Sequence, residues 1–259
     1  MASHFSSIGM PVNTERDMIK VLDKASEAGE KIACEFGYYQ KWSSGTGAEL
    51  WIHIDKSGEV IGVNPFYNGE SNIPAGLINK VKNEKYNDFE CMFYAWVDPK
   101  DNEPGMGLYP LAFDCVNIAL VEGLVLPCIR NVRLSAFAYD LDIYPDEENY
   151  HVEQKKLHGD DHYYGAKSFI PSGTFSFDDD DDGNAEESFE IKPEAIFTGI
   201  IMDYKKYKNE LTGKKYFWIR TETYGGIIDV VADPELINRE MKINGVISGQ
   251  FYMCGKIIT

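Results

Sequence analysis

The fold of this chain is decided by residues 195–259, which read AIFTGIIMDYKKYKNELTGKKYFWIRTETYGGIIDVVADPELINREMKINGVISGQFYMCGKIIT. Runs rich in β-branched and aromatic residues follow one another closely there, with turn residues such as Gly225-Gly226 between them. This rhythm of short strands is typical of a small closed β-barrel. The sequence predicts strands at Ala195–Tyr204, Lys215–Thr223, Ile227–Ala232 and Gly245–Ile258, and a short helix at Pro234–Glu240.

An acidic run precedes this stretch. Asp178–Asp182 places five carboxylates in succession, and Gly183, Asn184 and Glu186-Glu187 follow. Carboxylates at this density repel one another and cannot be buried together, so we expect an exposed linker. The predicted organisation is an α+β sheet domain at 1–175, an acidic linker at 176–192 and a small β-barrel module at 193–259.

Residues 1–175 are predicted to form a mixed, mainly antiparallel sheet with one or two helices, so the fold class is α+β. Apolar residues recur at helical spacing after Thr14, which predicts a helix at 15–28. A second helix is predicted at Pro145–Leu157. The remaining predictions are strands at His4–Met10, Ile32–Trp42, Ala48–Ile54, Glu59–Val63, Cys91–Val97 and Asn131–Tyr144, a turn at Asn64-Pro65, and a short helix near Ala75–Val81.

The β-α-β-β-β order over residues 4–63 resembles one module of the vicinal-oxygen-chelate, or glyoxalase-like, superfamily. The resemblance implies that a histidine on the first strand and a glutamate on a later strand lie near a divalent metal, which here means His4, Glu49 and His53. That family takes ligands from two modules, and the following segment does not repeat the pattern. Glu49 and His53 therefore form either part of a metal site or an ordinary half-exposed sheet face.

A second candidate metal cluster is the segment His158, Asp160, Asp161 and His162. Two histidines four positions apart bind a metal together when they share one face of a helix. Gly159 and the two aspartates favour a loop instead. The segment is therefore either a metal site or a solvated loop. No dinucleotide-binding, phosphate-loop or HExxH motif occurs in the chain, and we expect no cofactor.

Charge and cysteine content limit the classes of partner and compartment. The formal net charge is −17, which disfavours nonspecific contact with nucleic acid or anionic lipid and favours a basic protein partner or simple solubility. The five cysteines lack disulfide-framework spacing, and no long apolar run or signal peptide is present, so we expect a cytoplasmic protein without membrane contact. These cysteines are Cys34, Cys91, Cys115, Cys128 and Cys254.

The C-terminal module differs electrically from the rest of the chain. From Pro193 onward it has nine Lys and Arg against eight Asp and Glu, a net +1, so residues 1–192 carry −18. Lysines and aromatic residues alternate around its first turn. The predicted binding surface, called the lysine hairpin below, consists of Tyr204, Lys205, Lys206, Tyr207, Lys208, Lys214, Lys215, Tyr216, Trp218 and Arg220.

The order of strands, turns and helix in this module resembles an OB-fold barrel. The resemblance implies single-stranded nucleic-acid binding, in which lysines follow phosphates and exposed rings stack on bases. A solvated hairpin or a protein-contact face would have the same composition, and the −18 of the preceding residues opposes nucleic acid.

Three functional hypotheses follow. The first is a non-catalytic, acidic, cytosolic binding or regulatory protein that acts through protein–protein contacts, and we favour it because no catalytic motif is present. The second is single-stranded nucleic-acid binding by the C-terminal barrel. The third is a metal-dependent enzyme of glyoxalase-like type.

Overall fold

The computed structural model describes residues 4–82, 85–159, 163–175 and 190–258. Within these ranges the chain forms two helices, α1 (Glu15–Ala28) and α2 (Glu147–His158). The strands are β1 (Glu30–Cys34), β2 (Gly37–Ser43), β3 (Ala48–Asp55), β4 (Val60–Tyr67), β5 (Ile73–Val81), β6 (Cys91–Val97), β7 (Pro110–Cys115), β8 (Cys128–Ala138), β9 (Asp142–Tyr144), β10 (Ser168–Ile170), β11 (Glu194–Lys208), β12 (Lys215–Thr223), β13 (Gly226–Ala232) and β14 (Val246–Ile257).

The α+β class with a barrel is confirmed. Strands β1 to β4 form a four-stranded antiparallel sheet in chain order, called the small sheet below. Helix α1 begins where the sequence predicts, because the Thr14 hydroxyl accepts a hydrogen bond from the Asp17 N–H at 3.2 Å. Val21 and Ala25 are the buried residues of this helix, and the helix packs on β2 and β3.

Eight strands close into a mixed barrel in the order β11-β12-β13-β8-β5-β6-β7-β14 and back to β11. Strands β8 and β14 also pair with each other in antiparallel fashion, with Cys254 opposite Ser135. This pairing crosses the barrel and divides it into two five-stranded rings that share β8 and β14.

The two rings form a structural repeat. Strands β5, β6 and β7 make an antiparallel meander, a 3-10 turn follows at Ile118–Leu120, and β8 comes next. Strands β11, β12 and β13, the 3-10 turn Pro234–Leu236 and β14 follow the same plan. Each repeat lends its last strand to the other ring, since β7 pairs in parallel with β14 and β13 in parallel with β8. No repeat in the amino-acid sequence indicates this symmetry.

One hydrophobic core fills the barrel interior, and a second lies between the small sheet and the outer barrel face. The interior includes Phe93, Phe197 and Phe251, all at most 1% exposed. The second core joins residues of the small sheet to barrel residues such as Phe137 and Val231. Strand β3 is consequently buried along almost its whole length, although its alternating sequence is typical of a half-exposed strand.

Several predicted elements are wrong. The predicted strand His4–Met10 contains a 3-10 turn at Ser6–Ile8, and the predicted helix near Ala75–Val81 is strand β5, held between β6 and β8. The predicted strand Ile32–Trp42 is the hairpin of β1 and β2. The predicted turn at Asn64-Pro65 lies inside β4, where proline is tolerated because β4 is an edge strand of its sheet.

The division of the chain into domains stays a prediction. Most of the predicted linker, residues 176–189, lies outside the described residues. The described strands on its two sides belong to one barrel, because β14 pairs with β7, β8 and β11. The strands within residues 194–257 therefore form a closed ring only together with β8, which precedes the linker in the chain.

Candidate functional site

The structure separates the lysine hairpin into an exposed and a buried part. The rings of Tyr216 and Trp218 are only 0% and 7% exposed because the small sheet covers them. These two rings are therefore not available on the surface to stack on bases. The half-buried members of the lysine hairpin are Tyr204, Tyr207 and Arg220, and its exposed members are Lys205, Lys206, Lys208, Lys214 and Lys215.

The three residues of the glyoxalase-like hypothesis lie in different environments. The ring of His4 lies against the ring of Tyr252 at an interplanar angle of 33°, with centroids 3.8 Å apart. Glu49 is 2% exposed and forms ion pairs with Lys41 at 3.2 Å and Lys256 at 3.7 Å, while His53 stacks on Phe89. Across the described ranges, no group of three or more His, Cys, Asp or Glu side chains is arranged to hold a metal ion.

The second candidate cluster is described only at one end. His158 is exposed at the C-terminal end of α2. Asp160, Asp161 and His162 lie outside the described residues. The hypothesis of a metal site there stays a prediction.

A polar row crosses the outer face of the barrel beneath the small sheet. Strand register places Asp114 beside Cys254, Cys254 beside Ser135, and Ser135 beside Asp229. Since β7 and β13 are the third strands of the two repeats, Asp114 and Asp229 occupy equivalent positions. The barrel thus has two equivalent carboxyl groups on one face, and no sequence motif indicates them.

Asp229 is held by two N–H donors. Its carboxyl group is fully buried and accepts hydrogen bonds at 2.7 Å from the backbone N–H of Ser71 and from the indole N–H of Trp218. Gly69 passes so close that a Cβ there would lie 2.2 Å from an Asp229 oxygen. Through the bond from Ser71, Asp229 connects the loop after β4 to the second repeat.

Asp114 is held by two tyrosine hydroxyls. The hydroxyl of Tyr86 donates to its Oδ1 at 2.5 Å, and the hydroxyl of Tyr252 donates to its Oδ2. Burial raises the pKa of Asp114 above its ordinary value, while the two hydroxyl donors act in the opposite direction. Asp114 is therefore a half-buried carboxyl group that favours its protonated form more than a free aspartate does.

Further titratable groups surround Asp114. Burial also raises the pKa of Glu90; the carboxamide of Asn64, by donating to Glu90, acts against this rise, and the charge of Asp114 adds to it. Burial lowers the pKa of His53 to about 4, so this ring is neutral at pH 7 although Asn87 bonds to its Nδ1 at 3.2 Å. The cluster can hold protons, but none of the described grooves has these groups in its lining.

The largest of the described grooves lies beside this cluster, with a volume of about 580 Å³. Its walls are the turn between β1 and β2 and the segment that follows β7. We call it the acidic groove, because its lining contains two acids, Glu35 and Glu122, and one lysine, Lys80. Its lining comprises Ala33, Cys34, Glu35, Phe36, Lys80, Ile118, Ala119, Leu120, Val121, Glu122, Gly123 and Leu124.

Sequence reasoning missed both the Asp114 cluster and the acidic groove. Asp114 and Tyr252 are 138 positions apart, and the two walls of the groove are more than eighty positions apart. The local signal is the exposed pair Glu122-Gly123, which interrupts the apolar run Leu111–Leu126 with an acid and a glycine.

Comparison with models of protein families, with curated proteins and with solved structures gives no match. Among the described residues, neither helix has the length and apolar character needed to cross a lipid bilayer. Function must therefore be argued from the chemistry of the grooves and clusters themselves.

Proposed function

We propose that this chain is a non-catalytic binding protein that holds an extended, basic segment of a partner protein in the acidic groove. The observation that carries the proposal is the meeting of this groove with the free edge of β1. The net charge of −17 supports it, because a field of this sign attracts basic partners over long distances.

The free edge of β1 supplies the backbone for such a contact. β1 is the outer strand of the small sheet and, among the strands that the structure describes, pairs with β2 alone. An edge strand presents unpaired N–H and C=O groups, to which an extended segment of another protein can add as a further strand. Residues Ala33–Phe36, at the end of this edge, also line the acidic groove, so an added strand leads directly into it.

The acidic groove supplies the side-chain contacts. Its two acids, Glu35 and Glu122, and its one cation, Lys80, are all exposed. The other lining residues have apolar side chains, although the surface that the groove exposes is more polar than apolar, and Val125 just beyond it is 77% exposed. A volume of about 580 Å³ lies within the range of ligand-binding pockets, roughly 300–1,000 Å³. The groove therefore fits a segment that carries both apolar and basic side chains.

Hydrogen bonds within the chain hold one wall of the acidic groove in place. The buried Tyr39 hydroxyl donates to the carbonyl oxygen of Phe89 at 2.5 Å and accepts from the N–H of Ala119 at 3.3 Å. These bonds tie the segment after β7 to the small sheet. A preformed wall reduces the ordering cost of binding, which supports a binding role for the groove.

The resemblance of each ring to an OB-type barrel bears on whether the partner is a protein or a nucleic acid. Each ring has a three-strand meander, a short helical turn and a fourth strand, and takes its fifth strand from the other repeat. OB-type barrels bind oligonucleotides on the face of their second and third strands. Here the small sheet covers Trp218 on β12 and Val231 on β13, so the geometry favours a protein partner over nucleic acid.

Charge reversal in the acidic groove tests the proposed function. The probe is a fluorescent peptide of alternating Lys and Leu, and its affinity is measured by anisotropy. The double variant Glu35→Lys/Glu122→Lys should bind this peptide about tenfold more weakly than the unmodified chain, a change of about 1.4 kcal/mol.

The matched control is Glu27→Lys/Glu59→Lys, which makes the same change in net charge at two exposed acids outside the groove. The control should change the affinity less than about twofold, since isolated surface charges contribute little. An equal loss in both double variants, or no binding by the unmodified chain, would refute the role of the groove.

A further inference from the structure

A second groove of about 290 Å³ lies between α1 and the turn that joins β11 to β12. We call it the basic groove, because its lining contains three lysines and one acid. The lining residues are Pro11, Asp17, Lys20, Val21, Lys24, Thr212 and Lys214. One residue of the lysine hairpin, Lys214, belongs to this lining.

Helix α1 presents one face to this groove. Asp17, Lys20, Val21 and Lys24 stand at positions i, i+3, i+4 and i+7, which is the spacing of a single helical stripe. Val21 is buried, and the two lysines beside it are exposed. The helix thus fixes two ammonium groups along one wall.

Hydrogen bonds hold the opposite wall in place. The buried Asn209 donates to the carbonyl oxygen of Ile8 at 2.9 Å and accepts from the N–H of Leu211 at 3.0 Å. The Thr212 hydroxyl donates to the carbonyl oxygen of Gly9, and the Lys24 ammonium donates to that of Leu211 at 3.0 Å. The turn that carries Lys214 is therefore preorganised next to α1.

Most of the lysines around the groove form no ion pair, although the charge of Lys20, after the hydrogen bond from Thr14, helps to lower the pKa of Asp17. Lys208 and Lys215 stand directly opposite each other across β11 and β12, an arrangement of like charges that destabilises a hairpin. Glu210, the acid of the turn, accepts from the N–H of Gly45 at 3.3 Å. In the part of the chain that the structure describes, Lys20, Lys208, Lys214 and Lys215 form no ion pair within 4.0 Å.

We propose that the basic groove binds an acidic, extended segment of a partner protein. Carboxylates of that segment would pair with Lys20, Lys24 and Lys214 inside the groove. Lys208 and Lys215 extend the positive surface along the hairpin, so the patch suits several acidic residues in a row rather than one small anion.

The structure favours a peptide over a nucleic acid. Single-stranded nucleic acids bind where exposed rings accompany the lysines, and the small sheet buries Tyr216 and Trp218. A long polyphosphate would also experience the net charge of −17 beyond the patch. A short acidic segment contacts the patch alone and avoids most of that repulsion.

Anisotropy with three fluorescent probes tests the inference at 50 mM salt: a peptide of alternating Glu and Ala, a ten-residue oligothymidine and a neutral Ser-Ala peptide. We expect the acidic peptide to bind most tightly. The variant Lys20→Gln/Lys214→Gln should bind it about tenfold more weakly, and Lys56→Gln/Lys100→Gln, which removes two exposed lysines elsewhere, less than about twofold.

Three outcomes would overturn the inference: tighter binding of the oligothymidine than of the acidic peptide, equal losses in the two lysine variants, or no binding of the acidic peptide. The result is independent of the proposed function. Glu35→Lys/Glu122→Lys and its control Glu27→Lys/Glu59→Lys change the net charge equally, and only the first alters the acidic groove, so both should bind the acidic peptide equally well.

Discussion

Asp229 and Asp114 occupy equivalent positions in the two repeats of the barrel, yet their surroundings differ in kind. Asp229 is fully buried and receives an amide N–H and an indole N–H. Asp114 is half-buried and receives two phenol hydroxyls. Strand geometry therefore fixes where each carboxyl group lies, while the hydrogen-bond donors around it differ between the two repeats.

The neighbours on the second strands show the same contrast. Asp229 pairs with Arg220 and Asp114 with Met92, and the residue two positions earlier in the chain is Trp218 in one repeat and Glu90 in the other. Trp218 donates to Asp229, whereas the carboxyl group of Glu90 adds negative charge near Asp114. The two repeats therefore surround equivalent carboxyl groups with different neighbours, an indole N–H donor in one and a second carboxyl group in the other.

Removal of each carboxyl group should separate the two sites most strongly. Asp229→Ala leaves the Ser71 N–H and the Trp218 indole N–H buried without acceptors, so we expect a loss of about 3–5 kcal/mol in the free energy of unfolding. Asp114→Ala frees two hydroxyls that can turn toward water, and we expect a loss of about 1 kcal/mol. Urea unfolding at pH 7 measures both, and equal losses would contradict the comparison.

Acid should destabilise the protein through His53 on the Asp114 side. The folded-state pKa of His53 is about 4 against 6.5 for a free histidine, so the unfolded chain binds the proton first as the pH falls. The resulting loss is about 3 kcal/mol between pH 6.5 and pH 4. His53→Gln cannot take up this proton and should lose that much less over the same range.

The control for this prediction is His158→Gln, which alters an exposed histidine at the end of α2. Urea unfolding at several pH values should show the same acid sensitivity for this variant as for the unmodified chain. An unchanged pH dependence in His53→Gln would show that the ring of His53 is not the source of the sensitivity.

The close approach of Gly69 to Asp229 should tolerate no side chain. A Cβ at this position meets the Asp229 carboxyl oxygens at 2.2 Å, so Gly69→Ala should reduce the free energy of unfolding by about 1–3 kcal/mol. A Cβ at Gly165 meets nothing within 4 Å, so Gly165→Ala should change it by less than about 0.5 kcal/mol. Similar values for the two variants would mean that the Asp229 site can rearrange.

The smallest expected effect concerns a single hydroxyl. Tyr86 lowers the pKa of Asp114 by donating to its carboxylate, so Tyr86→Phe should raise that pKa further. A carboxyl group whose pKa is raised by folding contributes stability in acid that is lost as the pH rises through its folded-state pKa. The variant should therefore lose about 1 kcal/mol at neutral pH and almost nothing in acid.

Unfolding of Tyr86→Phe at pH 4 and pH 7 measures this difference. Tyr38→Phe, which alters a ring on the outer side of the small sheet, serves as the control and should show no such pH dependence. A loss in Tyr86→Phe that is the same at both pH values would indicate a packing effect rather than a bond to the carboxylate.

Local pattern was sufficient for much of the fold. Thr14 and Asp146 cap α1 and α2 as expected, and β12 has the predicted bounds Lys215–Thr223. These elements depend on interactions within a few residues. The segment Ala75–Val81 was predicted wrongly, because its state is set by β6 and β8 on either side rather than by its own period.

The candidate sites were much less accessible to sequence reasoning. The lysine hairpin was found because its lysines are close in sequence, but the burial of Tyr216 and Trp218 depends on a sheet that lies some 150 positions earlier. The Asp114 cluster joins residues from β7, β14 and the loop before β6. Nothing in any one of these segments indicates that they meet.

The sequence by itself determined the α+β class, both helices, most strand positions and the strongly acidic character of the chain, because each depends on composition or on local spacing. The tertiary structure decided what the C-terminal strands of residues 195–259 form. They do not close alone, since β8 completes their ring and β14 completes the ring of the earlier repeat. Exposure, charge pairing and the state of each carboxyl group follow from that exchange of strands, because they are properties of neighbours that are distant in sequence.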